Sequence, residues 1–164
     1  MRCSVCGKDH PAEELELSYQ RPDETAALSK QERSEFVQES ADLSVFKGER
    51  FFVRAVLPLS VASRDRAYNI GLWVELSQLS FERIHALWEE PAQANEPPFE
   101  VQIANDLPFM PSTRGTPARL QLTGPATRPE VTVLPTKSPI YEEQSKGITA
   151  HRANEYSAYA APEV

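Results

Sequence analysis

Cysteine is almost missing from this sequence: two in 164 residues, Cys3 and Cys6. Two thiols cannot supply the bridges of a disulfide-stapled secreted domain. Long hydrophobic runs are missing as well. The longest mostly apolar stretch, Ala55 to Ala62, is interrupted by Pro58 and Ser60 and falls far short of the ~20 residues a membrane-crossing helix needs. The N-terminus has no apolar run behind a basic start, so no secretory signal is expected. Basic side chains are outnumbered, 17 against 24 acidic ones, for a net charge of −7 and a pI near 5.0. DNA, RNA and anionic lipid each require clustered Lys and Arg, so neither nucleic acid nor a membrane is an expected partner. Histidine occurs three times, and the Gly-x-Ser-x-Gly, His-Glu-x-x-His, Gly-x-Gly-x-x-Gly and Walker patterns do not occur. The expectation is a soluble, cytoplasmic and acidic protein without recognisable catalytic machinery.

What is present is enough to fold. The chain is 40% hydrophobic, and a domain of this length buries roughly two-thirds of the surface that its unfolded chain exposes. One domain over residues 1–164 is expected, with 1–14 as a cysteine-bearing segment and 15–164 as the core. Ser29-Lys-Gln-Glu32 has the spacing of a capping box and starts a helix placed at about 29 to 39. The runs at 43–46 and 51–57 flank a turn containing Gly48 and read as a hairpin. From Tyr68 to Leu76 the apolar residues Tyr68, Ile70, Leu72, Val74 and Leu76 alternate with Asn69, Gly71, Trp73 and Glu75, the period of a strand. Ser80 is read as the cap of a second helix carrying Phe81, Ile84, Leu87 and Trp88 on one stripe. Prolines 91, 97 and 98 make the next stretch a loop. Strands are then predicted at 99–103, 118–122 and 130–133. A last helix follows over 140–159, with Glu142 and Lys146 as an i,i+4 pair and Gly147 as its weak point. The predicted class is α+β, a mostly antiparallel sheet of five or six strands with two or three helices.

Cys3-Ser-Val-Cys6-Gly7 has the form of a zinc knuckle, two thiolates one tight turn apart with a glycine that lets the backbone turn. His10 could supply a third ligand. Structural zinc takes four, and the remaining candidates are His85, His151, Asp9 and Glu13. The alternative for the same residues is a pair of free thiols. A redox motif would need the first cysteine at the start of a helix, and here Pro11 and a strand-like stretch follow.

Trp73 lies on the strand face opposite the apolar one, beside Arg54 if the strands pair in order. An exposed aromatic next to Arg has the composition of a binding hot spot; the alternative is that another element covers that face. Residues 105–113 form a long, Pro-containing loop of the kind that carries recognition. Charge is unevenly spread: residues 12–49 carry ten acidic and four basic side chains, residues 111–137 four basic and one acidic. An acidic surface of that sort meets a basic partner, or is simply solvated. His151 and Glu155 form an i,i+4 pair whose plain role is helix stabilisation.

Several ordered motifs then match a known pattern: Cys-x-x-Cys-Gly-x-x-His at 3–10, Phe-Phe-Val-Arg-Ala-Val-Leu-Pro-Leu at 51–59, Gly-Leu-Trp-Val-Glu-Leu-Ser at 71–77 and Ser-Phe-Glu-Arg at 80–83. Asn-Asp-Leu-Pro at 105–108, Arg-Pro-Glu-Val at 128–131, and Glu-Gln-Ser-Lys-Gly-Ile-Thr at 143–149 with Arg152 and Glu155 complete it. Over nearly the whole chain the sequence resembles the bacterial domain-of-unknown-function family numbered 2199. The resemblance implies no activity. It does imply that Ser44 and Ser138 stand where many members carry Cys and His, so that a zinc site completed from those positions would be lost here.

These observations favour a non-enzymatic, protein-binding or regulatory domain, immunity-like in one version, with Cys3, Cys6 and His10 as a structural metal knuckle. The rival is a metal-dependent enzyme with a three-ligand Cys/Cys/His site and an open position. Metal analysis of the untagged protein separates them. The enzyme predicts stoichiometric metal, and less than about 0.2 equivalents removes it, because chemistry at such a site requires the ion.

Overall fold

A five-stranded ring is the centre of the fold. The computed structural model describes residues 15–160. Its elements are α1 (Asp23–Ala26), α2 (Lys30–Phe36), β1 (Val37–Glu39), β2 (Leu43–Phe46), β3 (Arg50–Leu59), β4 (Tyr68–Leu76), α3 (Gln78–Leu87), a 3-10 turn (Pro91–Asn95), β5 (Phe99–Ile103), β6 (Pro117–Gln121), β7 (Glu130–Val133), α4 (Pro139–Lys146) and α5 (Ala150–Ala160). Strands β1 to β7 pair in chain order, each antiparallel to the next, and β3 also pairs with β7 in parallel at Val56↔Glu130. The parallel contact follows from counting. In an alternating series the first and fifth strands run the same way, so a ring of β3 to β7 closes only through a parallel pair. β3 is ten residues long and serves two neighbours on one edge, β2 along Arg50–Val53 and β7 at Val56.

The inward positions of all five ring strands form one core with Leu57, Ile70, Leu72, Ile103, Leu120 and Val131 at its centre. Fully burying a side chain of this kind contributes about 1.5–3 kcal/mol. Helix α3 covers one end through Ile84 and the Phe81–Phe51 ring contact at 5.1 Å. Helix α5 covers the other, where Tyr156 stacks on Tyr68 at 6.0 Å and Ser157 Oγ lies 3.0 Å from the Tyr68 hydroxyl. The fold class predicted from the alternation, α+β with a largely antiparallel sheet, is the one found; the sheet has seven strands where five or six are expected, and the described residues contain five helices where two or three are.

The differences are local and have physical reasons. The capping box at Ser29 is present in both directions, but the helix ends at Phe36, because Val37 to Glu39 pair with Ser44 to Phe46 as β1. Helix α3 begins three residues early: Ser77, not Ser80, is its cap and accepts from the Ser80 N–H. The Pro91 stretch forms a 3-10 turn, with proline at its first position where no N–H is needed. The final helix is two helices. Gly147 has φ +84° and ψ 173°, a region open in practice only to glycine. The next residue leaves the helix to bond β-fashion, Ile148 N–H to Ser60 O and Ala62 N–H to Ile148 O. No helix among the described residues is long and apolar enough to cross a membrane.

Gly147→Ala tests that break. A Cβ there would lie 3.0 Å from the Ser60 carbonyl oxygen on top of the backbone penalty, so the variant is expected to lose about 1–3 kcal/mol, read as a lower urea midpoint at unchanged m-value.

Candidate functional site

Arg54 and Trp73 are cross-strand neighbours in the β3–β4 ladder, but Trp73 is not exposed. Its relative exposure is 1%, and it packs with Phe52 and Ala104 beneath Tyr19 and Phe46. The expected surface hot spot is therefore corrected: a ring so enclosed offers no area to a partner. What covers it is the chain before α1, which runs along β4 as a parallel bridge, with Gly71 N–H donating to Leu17 O and Tyr19 N–H to Gly71 O. A Cβ at Gly71 would stand 2.7 Å from Ser18 Oγ, so a side chain there would force the Ser18 hydroxyl, which accepts from Arg54, to move. The indole N–H donates to Tyr19 O. Arg54 reaches Ser18 Oγ at 3.0 Å and Ala41 O, while its Nε has no partner. Burial and then the nearby Arg128 charge lower its pKa against the pull of Asp42.

An exposed aromatic beside Arg does exist, in the loop that the sequence offered for recognition. Phe109 is 53% exposed and has φ +69°, a strained value for a bulky side chain. The loop holding it is over-determined. Asp106 Oδ1 accepts from Ser112 Oγ, Thr113 N–H and Arg114 N–H. Thr113 Oγ1 donates to Asn105 O and accepts from Leu107 N–H. The buried Asn105 amide joins Trp73 N–H to Arg21 O and Asp23 Oδ1. Both ends of the turn are thereby fixed to the sheet, and Pro108-Phe109-Met110-Pro111 projects from it.

Helix α5 supplies the other half. Phe109 lies edge-on to Tyr159, itself 59% exposed, with ring centres 5.8 Å apart. Arg152 lies beside both Phe109 and Tyr156, its guanidinium 5.1 Å from the Phe109 ring and 4.8 Å from that of Tyr156, while the two rings touch each other at 5.9 Å. Glu143 on α4 fixes the trio, accepting from Arg152 Nε at 2.8 Å and from the Tyr156 hydroxyl at 2.7 Å. Burial, then the hydrogen bond to the Glu143 carboxylate, pushes the Tyr156 hydroxyl well above its ordinary pKa, so it stays a neutral donor. The site thus consists of two exposed rings beside a hydrogen-bonded Glu–Tyr–Arg cluster in which Tyr156 is buried and Glu143 and Arg152 are partly so. The loop was legible in its prolines; Phe109 was overlooked, although an apolar pair between two prolines outside any strand is an unusual thing to leave in a loop.

The other candidates do not converge. Cys3, Cys6 and His10 lie outside the described residues. His85 is on α3, stacked on Phe81, and His151 on α5, 3.9 Å from Glu155. Those helices pack at Phe51 and at Tyr68, eight ladder positions apart, roughly 26 Å at 3.3 Å per residue, so one site cannot use both histidines. Among the described residues no three His, Cys, Asp or Glu side chains are grouped to hold a metal ion. Ser138 caps α4, and the Ser44 hydroxyl is buried without a partner. Acidic residues of the 12–49 stretch turn inward to the basic later segment: Glu24 joins Arg50 and Arg114, and Asp42 lies 4.0 Å from Arg128.

Asp106 gives the site a pH signature. Burial pushes its carboxyl up, but the bonds from Ser112, Arg114 and Thr113 with the Arg114 charge outweigh it, and the pKa lies below the usual range. A depressed folded pKa means stability that is present above the unfolded value of about 3.9 and lost as pH falls through the folded one. Asp106→Asn keeps an acceptor and removes the titration. Its urea midpoint is expected to fall less steeply than that of the wild type between about pH 5 and pH 2; parallel curves would show that Asp106 carries none of this dependence.

A family model described as "Uncharacterized protein conserved in bacteria (DUF2199)" matches residues 2–148. No curated protein and no solved structure matches the chain. The matched span contains every ring strand, the Asn105–Thr113 loop and α4. The chain belongs to that bacterial family.

Proposed function

We propose that the protein is a cytoplasmic, non-enzymatic binding domain, regulatory or immunity-like in role, that recognises another protein through Phe109, Tyr159 and the neighbouring Arg152. The observation that carries this reading is Phe109, a large apolar side chain kept half exposed on a backbone it does not favour by a loop hydrogen-bonded on both sides. Strain of that kind, of order 1–3 kcal/mol, persists where the surroundings enforce it and clusters at recognition sites. Rigid aromatics beside Arg are what interface hot spots are made of. The partner is a protein that presents an apolar pocket rimmed by basic residues, in keeping with a net charge of −7 and with Glu155 beside Arg152. The surface is shifted from residues 12–49, whose Asp23, Glu24, Glu39 and Asp42 are engaged within the chain. Cys3, Cys6 and His10 are read alongside it as a structural zinc knuckle, on the chemistry of their donor set alone.

Phe109→Gly tests the proposal. Glycine accepts the positive φ, so relief of strain is expected to offset the lost ring contacts, leaving stability within about 1 kcal/mol of the wild type. Quantitative affinity capture from the native bacterial lysate should then retain a basic protein at least about tenfold more on the wild type than on Phe109→Gly, the loss of a hot-spot contact. Equal retention of every captured protein would reject this surface.

A further inference from the structure

The tip of the Phe109 loop has no hydrogen bonds of its own. Among the described residues, none forms from the main chain of Pro108, Phe109, Met110 or Pro111. The direction of the tip is therefore set at the base of the loop and by side-chain packing. Leu107 is buried in the ring core, and Met110 is partly buried against it. Apolar burial is non-directional, so these two fix how deep the loop sits and not how its peptides are turned. Directional bonds at the base do that.

Asp106 is the hub of those bonds. Its Oδ1 holds the returning arm through Ser112, Thr113 and Arg114. Its own peptide groups are held from the other side, by residues 83 and 87 positions earlier in the chain. Asp106 N–H donates to Asp23 Oδ2 at 2.7 Å, and Asp106 O accepts from the Tyr19 hydroxyl at 2.9 Å. The other Asp23 oxygen accepts from Asn105 Nδ2 at 3.0 Å, and Asp23 N–H donates to Ala104 O at 3.0 Å. One residue thus grips three consecutive residues, Ala104, Asn105 and Asp106, at the entrance of the loop. Asp23 is itself fixed by the buried Pro22 just before α1, whose ring sets φ and whose carbonyl accepts from Thr25 Oγ1.

We infer that Asp23 is a positioning residue for the Phe109 surface, with residues 19–23 as the brace that aims the loop; this rests on the surface proposed above. Both carboxylate oxygens of Asp23 face donors. An Asn in its place offers one oxygen, and in either orientation its NH2 meets the Asn105 amide or the Asp106 N–H, donor against donor. Released, the hub turns, the arm from Ser112 to Arg114 turns with it, and Phe109 leaves Tyr159 and Arg152.

The full chain is followed by backbone and aromatic NMR. In the wild type the Phe109 and Met110 amides are expected to be as ordered as the strands, with order parameters of about 0.85, and the Phe109 and Tyr159 rings to show a nuclear Overhauser contact. Asp23→Asn should bring both amides below about 0.6 and erase the ring contact, while β3 to β7 keep their values. Tyr19→Phe, which removes the hydroxyl bond to Asp106 O, should move the same signals the same way and serves where Asp23→Asn does not fold. Thr25→Ala removes the bond to Pro22 O without touching the loop; it should lower the urea midpoint and leave the tip ordered. In capture from the native lysate, the basic protein lost by Phe109→Gly should be retained about tenfold less on Asp23→Asn. Glu35→Gln, which removes the same charge from an exposed position on α2, should retain it as the wild type does. Unchanged order at Phe109 and Met110 in both Asp23→Asn and Tyr19→Phe, or equal loosening by Thr25→Ala, would overturn the brace. Full retention on Asp23→Asn of a protein that Phe109→Gly loses would do so too. Equal capture by Phe109→Gly and the wild type would count against the surface instead, and the order parameters then decide the brace by themselves.

Discussion

The outward hydrogen-bonding groups of β4 govern much of this molecule. Four different segments satisfy them in turn: the Glu16 side chain, the backbone of Leu17 to Tyr19, the Asn105–Ala104 corner and Gln102 of β5. Buried main-chain groups must find partners, and the identity of those partners here determines what lies over the sheet. Because Leu17 to Tyr19 bond to Gly71, they also roof Trp73. Because Asn105 bonds to Trp73, the β5–β6 loop starts from a fixed point, and its strained Phe109 is held outward. The succession ends at Glu75 and Gln102, where Ser77 leaves the sheet to cap α3.

Charge plays a different part from the one its distribution along the chain suggests. The acidic early segment and the basic later one are brought together: Glu24 bridges Arg50 and Arg114, Arg50 holds Glu75 in a two-bond fork, and Arg128 approaches Asp42. Partly exposed pairs contribute little stability each, about 0–1 kcal/mol. Their effect is to tie α1, the hairpin and the β5–β6 loop together in one orientation, with the early carboxylates Glu24, Glu39 and Asp42 turned toward the chain's own cations.

Two layers of aromatic side chains divide the labour between packing and presentation. Tyr156 is fully buried and hydrogen-bonded to Glu143; it closes one end of the ring and provides a fixed plane for Arg152. Phe109 rests against Tyr156 and Arg152, Tyr159 meets Phe109 edge-on, and both outer rings remain open to solvent. A surface built on a rigid support loses little side-chain freedom when it meets another molecule, which is why these two rings, and not the better-packed Trp73, carry the recognition reading.

The sequence by itself determined the strands and their faces. Period-two alternation at 68–76, 99–103 and 130–133 placed β4, β5 and β7, and the Ser29–Glu32 spacing set the start of α2, because those signals are local and depend on side-chain direction and on neighbouring N–H groups. It also marked the 105–113 loop and the Arg54–Trp73 pair. Only the tertiary structure decided that the ring closes through Val56 and Glu130, that residues 17–19 cover Trp73, that the last helix breaks so Ile148 can bond Ser60 and Ala62, and that Phe109 meets α5. Each of these is a contact between residues distant along the chain, and no spacing within a single segment encodes which remote partner will satisfy a given hydrogen bond or cover a given ring.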